Sequence, residues 1–128
     1  DTVDNLKGCL KVFADLMARL TCNRERMRAA ARQGFATATD LADYLVRRGV
    51  PFRDAHEVVA HAVKTAQAAG VDLSELPLET LQSFDARITA DVFTPLSLEG
   101  SMNERNTLGG TSPTQVSAQI ARHRARLA

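Results

Sequence analysis

The stretch TATDLADYLVRRGVPFRDAHEVVAHAVKTAQAAG, residues 37–70, carries the clearest fold signal in the chain, because it predicts two consecutive amphipathic helices. The first begins with Thr37 and Asp40, a Thr-x-x-Asp pair typical of a helix start, and ends at Gly49. The second opens at Pro51 and ends at the last glycine of the stretch. Apolar residues recur at helical spacing in both helices: Leu41, Ala42, Tyr44, Leu45 and Val46, then Phe52, Ala55, Val58, Val59, Ala62, Val63 and Ala66.

Helical spacing also describes the rest of the chain, and no alternation typical of a strand persists anywhere. A leading helix covers about residues 1–20, and its start reads as a helix already in progress, so we expect the chain to be a piece of a longer one. Its apolar stripe is Val3, Leu6, Leu10, Phe13, Leu16, Met17 and Leu20. Further helical segments are predicted at 23–34 with Asn23 as cap, 72–75, 77–84, 89–96 and 113–127. The predicted fold class is all-α.

The composition of the 128 residues fits one globular unit with an aliphatic core. It is 45% hydrophobic and 24% charged, while aromatic residues make up only 5%. A net charge of +1 indicates neither a nucleic-acid nor a membrane partner. Two cysteines, Cys9 and Cys22, are too few for a disulfide scaffold, and we expect both to be small buried residues in a reducing compartment.

Four side chains are the candidate bases: Tyr44, His56, His61 and His123. None has a second functional group at a spacing that would orient it. His56 and His61 are five residues apart, so they do not share a helix face, and we expect hydrogen bonds within the helix or to a neighbour. No phosphate loop, dinucleotide fingerprint or nucleophile motif is present. The residues alone therefore predict no catalytic, substrate-binding or metal-binding site.

The stretch ERNTLGGTSPTQV, residues 104–116, predicts a hinge followed by a helix start. Gly109 and Gly110 tolerate backbone angles that other residues avoid. Ser112 can cap the next helix with Pro113 in its first turn. Gln115, three residues after the cap, can complete a capping box.

Several stretches together resemble the C-terminal part of argininosuccinate lyase. They are NRERM at 23–27 followed by Ala29 and Ala30, GFATATDLADYLV at 34–46, and RGVPFRDAH at 48–56. The hinge is similar to the family's Arg-Asn-x-x-Gly-Gly-Thr-x-Pro-x-x-Val ending, present here as Arg105, Asn106, Gly109, Gly110, Thr111, Pro113 and Val116. The resemblance covers essentially the whole chain in order.

The resemblance implies membership of the fumarase/aspartase superfamily, whose proteins are cytoplasmic homotetramers built on a bundle of long helices. The family cleaves argininosuccinate to arginine and fumarate in arginine biosynthesis, without a metal or organic cofactor. Residues 1–22 would be the end of a central bundle helix in contact with other subunits, and residues 23–128 the helical third domain.

The family's Gly-Ser-Ser-x-Met-Pro-x-Lys-x-Asn loop, its Thr-His pair and its Tyr-Asn-x-Asp-x-Gln-Glu-Asp-Lys stretch all precede Asp1 by this resemblance. No catalytic or substrate-binding residue of the family is therefore expected within the chain, and the chain alone should be inactive. Lyases of this family have also been reused as lens structural proteins. The alternative is thus a structural or interaction module of the same fold without lyase activity.

Overall fold

The computed structural model describes residues 1–127, and within them every regular element is helical. The α-helices are α1 (Thr2–Arg19), α2 (Arg24–Ala31), α3 (Ala38–Arg47), α4 (Phe52–Ala69), α5 (Leu78–Phe84), α6 (Phe93–Leu96), α7 (Leu98–Glu104) and α8 (Pro113–Leu127). Short 3₁₀ turns lie at Leu73–Glu75 and Ala90–Val92. The predicted all-α class is confirmed.

By its internal packing the chain divides into two units, Asp1–Ala30 and the residues from Ala31 onward. In the first unit every residue is exposed, because two helices with one apolar stripe cannot enclose a core. Cys9 and Cys22 lie in this unit and are exposed. The prediction that both are buried is therefore wrong for this chain.

The second unit has a core built around the helices of the quoted stretch. Helix α3 packs chiefly against α4, α4 against α5 and the first 3₁₀ turn, and α3 also against α6. The fully buried large side chains are Leu41, Leu45, Leu73, Leu81, Ile88, Val92 and Leu96. Among the buried residues of 1–127 the only aromatic one is Tyr44, which confirms an aliphatic core.

Two details of the quoted stretch differ from the prediction. Phe52 is exposed, with its ring centroid 6.4 Å from that of His56 in the next turn, and Val46 of α3 is exposed too. The other predicted apolar residues of both helices are buried or half-buried. The side chains of Thr37 and Asp40 do not cap α3. Asp40 is buried and its carboxylate bonds to residues far along the chain. Thr37 Oγ1 is a buried atom without a hydrogen-bond partner among residues 1–127.

Helix α7 was not predicted, since Gly100 interrupts its pattern. The hydroxyl of Ser97 accepts a hydrogen bond from the Gly100 amide at 2.9 Å and caps the helix. A Cβ atom at Gly100 would lie 1.8 Å from the carbonyl oxygen of Thr94. The glycine is therefore required by the close approach of α6 and α7, which the local sequence does not reveal.

Candidate functional site

Tyr44 is the only one of the four candidate bases that the fold buries. Its hydroxyl accepts a hydrogen bond from the Thr89 amide at 3.0 Å and donates one to Asp91 Oδ1 at 2.9 Å. The guanidinium carbon of Arg48 lies 3.9 Å from the centre of the ring, within range of a cation–π contact. With its hydroxyl bonded to Thr89 and Asp91 and its ring beneath Arg48, Tyr44 is a packing residue rather than an acid.

Asp91 is the centre of the polar cluster around Tyr44. Its carboxylate also accepts hydrogen bonds from the Thr89 hydroxyl at 2.5 Å and from Arg48 Nη2 at 2.6 Å. These hydrogen bonds lower the pKa of Asp91 to about 2. The bond from Thr89 contributes most to this shift, followed by those from Arg48 and Tyr44. A carboxylate with this pKa is not a base near neutral pH. The cluster instead connects α3 and the residue that follows it to the 3₁₀ turn before α6.

The histidines of α4 do not form a site together. Both His56 and His61 are exposed, and neither side chain makes a hydrogen bond within residues 1–127, so the expected side-chain bonds are not formed. His61 lines an open cleft of ≈ 440 Å³ with Asp54, Glu57, Val58, Ser83 and Phe84. In the part of the chain that the structure describes, no three His, Cys, Asp or Glu side chains are grouped so as to hold a metal ion.

His123 lies near the end of α8, where it is exposed. It is preceded and followed by Arg122 and Arg124, whose positive charge suits a helix C-terminus.

A second cleft, of ≈ 370 Å³, borders the Tyr44 cluster and is lined by Tyr44, Arg47, Arg48, Asp91, Thr94, Pro95 and Glu104. Its charged groups are paired, Arg47 with Glu104 at 2.6 Å and Arg48 with Asp91, which leaves it without a free base.

Sequence reasoning missed a second polar cluster, which joins α3 to the end of α7. Asp40 accepts hydrogen bonds from Ser101 Oγ at 2.7 Å and from Arg105 Nη1 at 3.2 Å. Arg105 Nη1 also donates to the carbonyl and hydroxyl oxygens of Ser101. The sequence did contain a signal for this cluster: Asp40 lies inside the apolar pattern of α3, and a buried carboxylate needs a partner.

No helix among the described residues is long and apolar enough to cross a membrane.

The family model described as Argininosuccinate lyase C-terminal matches residues 35–103, which lie within the second unit. The chain is 63% identical over 128 residues to the argininosuccinate lyase of Variovorax paradoxus (strain S110), covering 100% of this chain and 28% of that protein. It is 59% identical over 128 residues to the one of Herminiimonas arsenicoxydans, again over 100% of this chain and 28% of that protein. The chain thus spans less than a third of the length of these relatives.

Two solved structures share the fold. A variant of EDDS lyase with bound fumarate is 35% identical and superimposes with a TM-score of 0.73, covering 82% of this chain and 23% of that one. EDDS lyase in complex with formate is 35% identical over the same shares, with a TM-score of 0.70.

Proposed function

The chain belongs to the argininosuccinate lyase C-terminal family, and from this premise we propose that it is the C-terminal part of an enzyme that cleaves argininosuccinate to arginine and fumarate. The observation that carries the proposal is the 63% identity to an argininosuccinate lyase along the whole chain. Fumarate bound to a variant of EDDS lyase, a protein 35% identical to this chain, supports fumarate as the product.

The chemistry of this reaction requires groups that the chain does not bring together. A proton must leave the carbon beside a carboxylate before the amine is expelled, so a positioned base is needed, with donors for the developing charge. Tyr44 is bonded to Thr89 and Asp91, and the two histidines of α4 have no orienting partner in residues 1–127. We therefore assign the catalytic and substrate-binding residues to segments outside this chain, which acts without a cofactor of its own.

The domain organisation follows the family. Residues 1–22 form the end of a central bundle helix, supported by α1 ending at Arg19, and residues 23–128 form the third domain, although residues 23–30 belong by internal packing to the same unit as α1. The exposed apolar stripe of α1 then meets other subunits of a cytoplasmic homotetramer. Because a stripe of large apolar residues is costly to leave in water, association through α1 accounts for its composition.

The test is an activity assay that follows the ultraviolet absorbance of fumarate with argininosuccinate as substrate. We expect no turnover by the chain alone, and turnover when it is mixed with the upstream portion of the enzyme and the two reassociate through α1. Turnover by the highly purified chain alone, lost on His56→Ala or His61→Ala, would overturn the assignment of the chemistry to other segments. A structural module of the same fold would give no turnover in either sample.

A further inference from the structure

Helix α8 differs from the other long helix of its unit in how it is held. None of the residues Pro113–Leu127 is buried, and its apolar residues Val116 and Ile120 remain about half exposed. Helix α4, of similar length, buries four residues. Apolar burial is the dominant favourable term in folding, so α8 lacks the main force that holds α4 in place.

Hydrogen bonds at its start take the place of that burial. Ser112, which is 2% exposed, donates its hydroxyl hydrogen bond to Asn106 Oδ1 at 2.9 Å and accepts one from the Gln115 amide at 3.3 Å. The Gln115 side chain donates to the carbonyl oxygen of Asn106 at 3.1 Å and to its Oδ1 at 3.3 Å. Asn106 thus connects both residues of the predicted capping pair. The return bond expected from the Ser112 amide to the Gln115 side chain is not made, because that amide donates to the Arg105 carbonyl oxygen.

The backbone between these residues is a closed loop that needs both glycines. Gly109 adopts a φ of +81°, which favours glycine. A Cβ atom at Gly110 would lie 2.1 Å from the carbonyl oxygen of Arg105. That carbonyl accepts a hydrogen bond from the Ser112 amide at 3.2 Å, and the Arg105 side chain bonds to Asp40 in α3. The loop is thereby fixed to the buried start of α3.

We propose that Asn106, Ser112 and Gln115 form a polar latch that controls α8 as a separately opening unit. When the latch is closed, α8 starts at a fixed point on the core. When it opens, the helix detaches or unfolds locally while α3 and α4 stay folded, because no buried side chain ties α8 to them. The Arg-Asn-x-x-Gly-Gly-Thr-x-Pro motif is the sequence of this latch.

Hydrogen–deuterium exchange of the full chain tests the proposal. In the wild type, residues 113–127 exchange faster than α4 but slower than an unstructured peptide. Asn106→Ala removes the Oδ1 acceptor of Ser112 and Gln115 but keeps the backbone acceptor. We expect exchange of residues 113–127 to rise about tenfold, the effect of one or two lost hydrogen bonds. Peptides from α3 and α4 keep their wild-type exchange.

The matched control is Asn103→Ala, the same change three residues earlier on an exposed position of α7. It leaves the exchange of residues 113–127 unchanged, while Gln115→Ala acts in the same direction as Asn106→Ala. Three results would each overturn the latch: exchange in wild-type α8 at the rate of an unstructured peptide, no response of α8 to Asn106→Ala, or an equal rise in α3 and α4.

Discussion

Helices α1 and α4 are both 18 residues long and both carry an apolar stripe, yet one has no buried residue and the other buries Ala55, Val59, Ala62 and Ala66. The two stripes differ in what lies against them. Helix α4 packs on α3, α5 and a 3₁₀ turn of its own unit, whereas the unit of α1 contains no buried position. Periodicity therefore selects the face of a helix that will be buried, but burial itself requires a neighbouring element.

The largest expected effect comes from removing a buried side chain from the core of the second unit. Leu45→Ala in α3 removes a fully buried side chain, and we expect it to lower the free energy of unfolding by about 2–5 kcal/mol. The matched control is Leu10→Ala on α1, whose side chain is exposed and should change stability by less than about 0.5 kcal/mol at low protein concentration. Urea denaturation measures both, and equal losses would show that α1 is packed in solution.

A charge on the unpacked stripe tests whether α1 has a partner. Phe13 on α1 and Phe52 on α4 are almost equally exposed, at 60% and 63%. Burial of a large apolar side chain contributes about 1.5–3 kcal/mol, so Phe13→Asp should weaken self-association at least about tenfold. Phe52→Asp should leave it unchanged. Sedimentation equilibrium over a range of protein concentrations measures the self-association of the wild type and both variants. A strictly monomeric wild type would contradict association through α1.

Glycine substitutions compare the two regions in another way. An added side-chain atom destabilises the fold most where neighbouring atoms are close, as at Gly110, and least where none are near, as at Gly8. Gly8 lies inside α1 with nothing within 4 Å of a Cβ, so Gly8→Ala should stabilise the helix by up to about 1 kcal/mol. Gly110→Pro also removes the 2.8 Å hydrogen bond from its amide to Thr107 and should destabilise the start of α8 by about 1–2 kcal/mol. Thermal melts followed by helical circular dichroism test this, and equal or reversed effects would contradict the hinge.

The smallest effect is a pH dependence confined to the packed unit. Folding lowers the pKa of Asp91 from its ordinary value of 3.8 to about 2, so the carboxylate stabilises the fold above pH 3.8 and loses that contribution as the pH falls toward 2. The stability difference between wild type and Asp91→Asn should therefore shrink between pH 5 and about pH 2.5. Tyr44→Phe, which keeps the ring beneath Arg48 but removes one donor, should show part of this dependence. If the stability difference between wild type and Asp91→Asn stayed constant with pH, the stabilising role of the Asp91 carboxylate in the folded chain would be contradicted.

Much of the fold was predictable because its signals are local. The bounds of α1, α3, α4 and α8 follow from apolar spacing and helix ends, and the cap of Asn23 on the Arg26 amide forms as expected at 3.0 Å. Helix α7 was missed because Gly100 breaks the pattern for a reason that lies in α6. The burial of Cys9 and Cys22 was wrongly predicted, because residue type indicates a preference for burial and not the presence of a neighbour.

Local sequence specifies most of the helices, their apolar stripes and the caps at Asn23 and Asp72, because these depend on groups three or four residues apart. The Asp72 and Glu75 capping box is one example, with the Asp72 amide bonded to Glu75 at 2.9 Å. The partners of the buried polar groups, in contrast, depend on how the helices pack. Asp40 bonds to Arg105, 65 positions away, and Tyr44 to Asp91, 47 away, since a buried polar group must take the donor or acceptor that the packed helices bring to it.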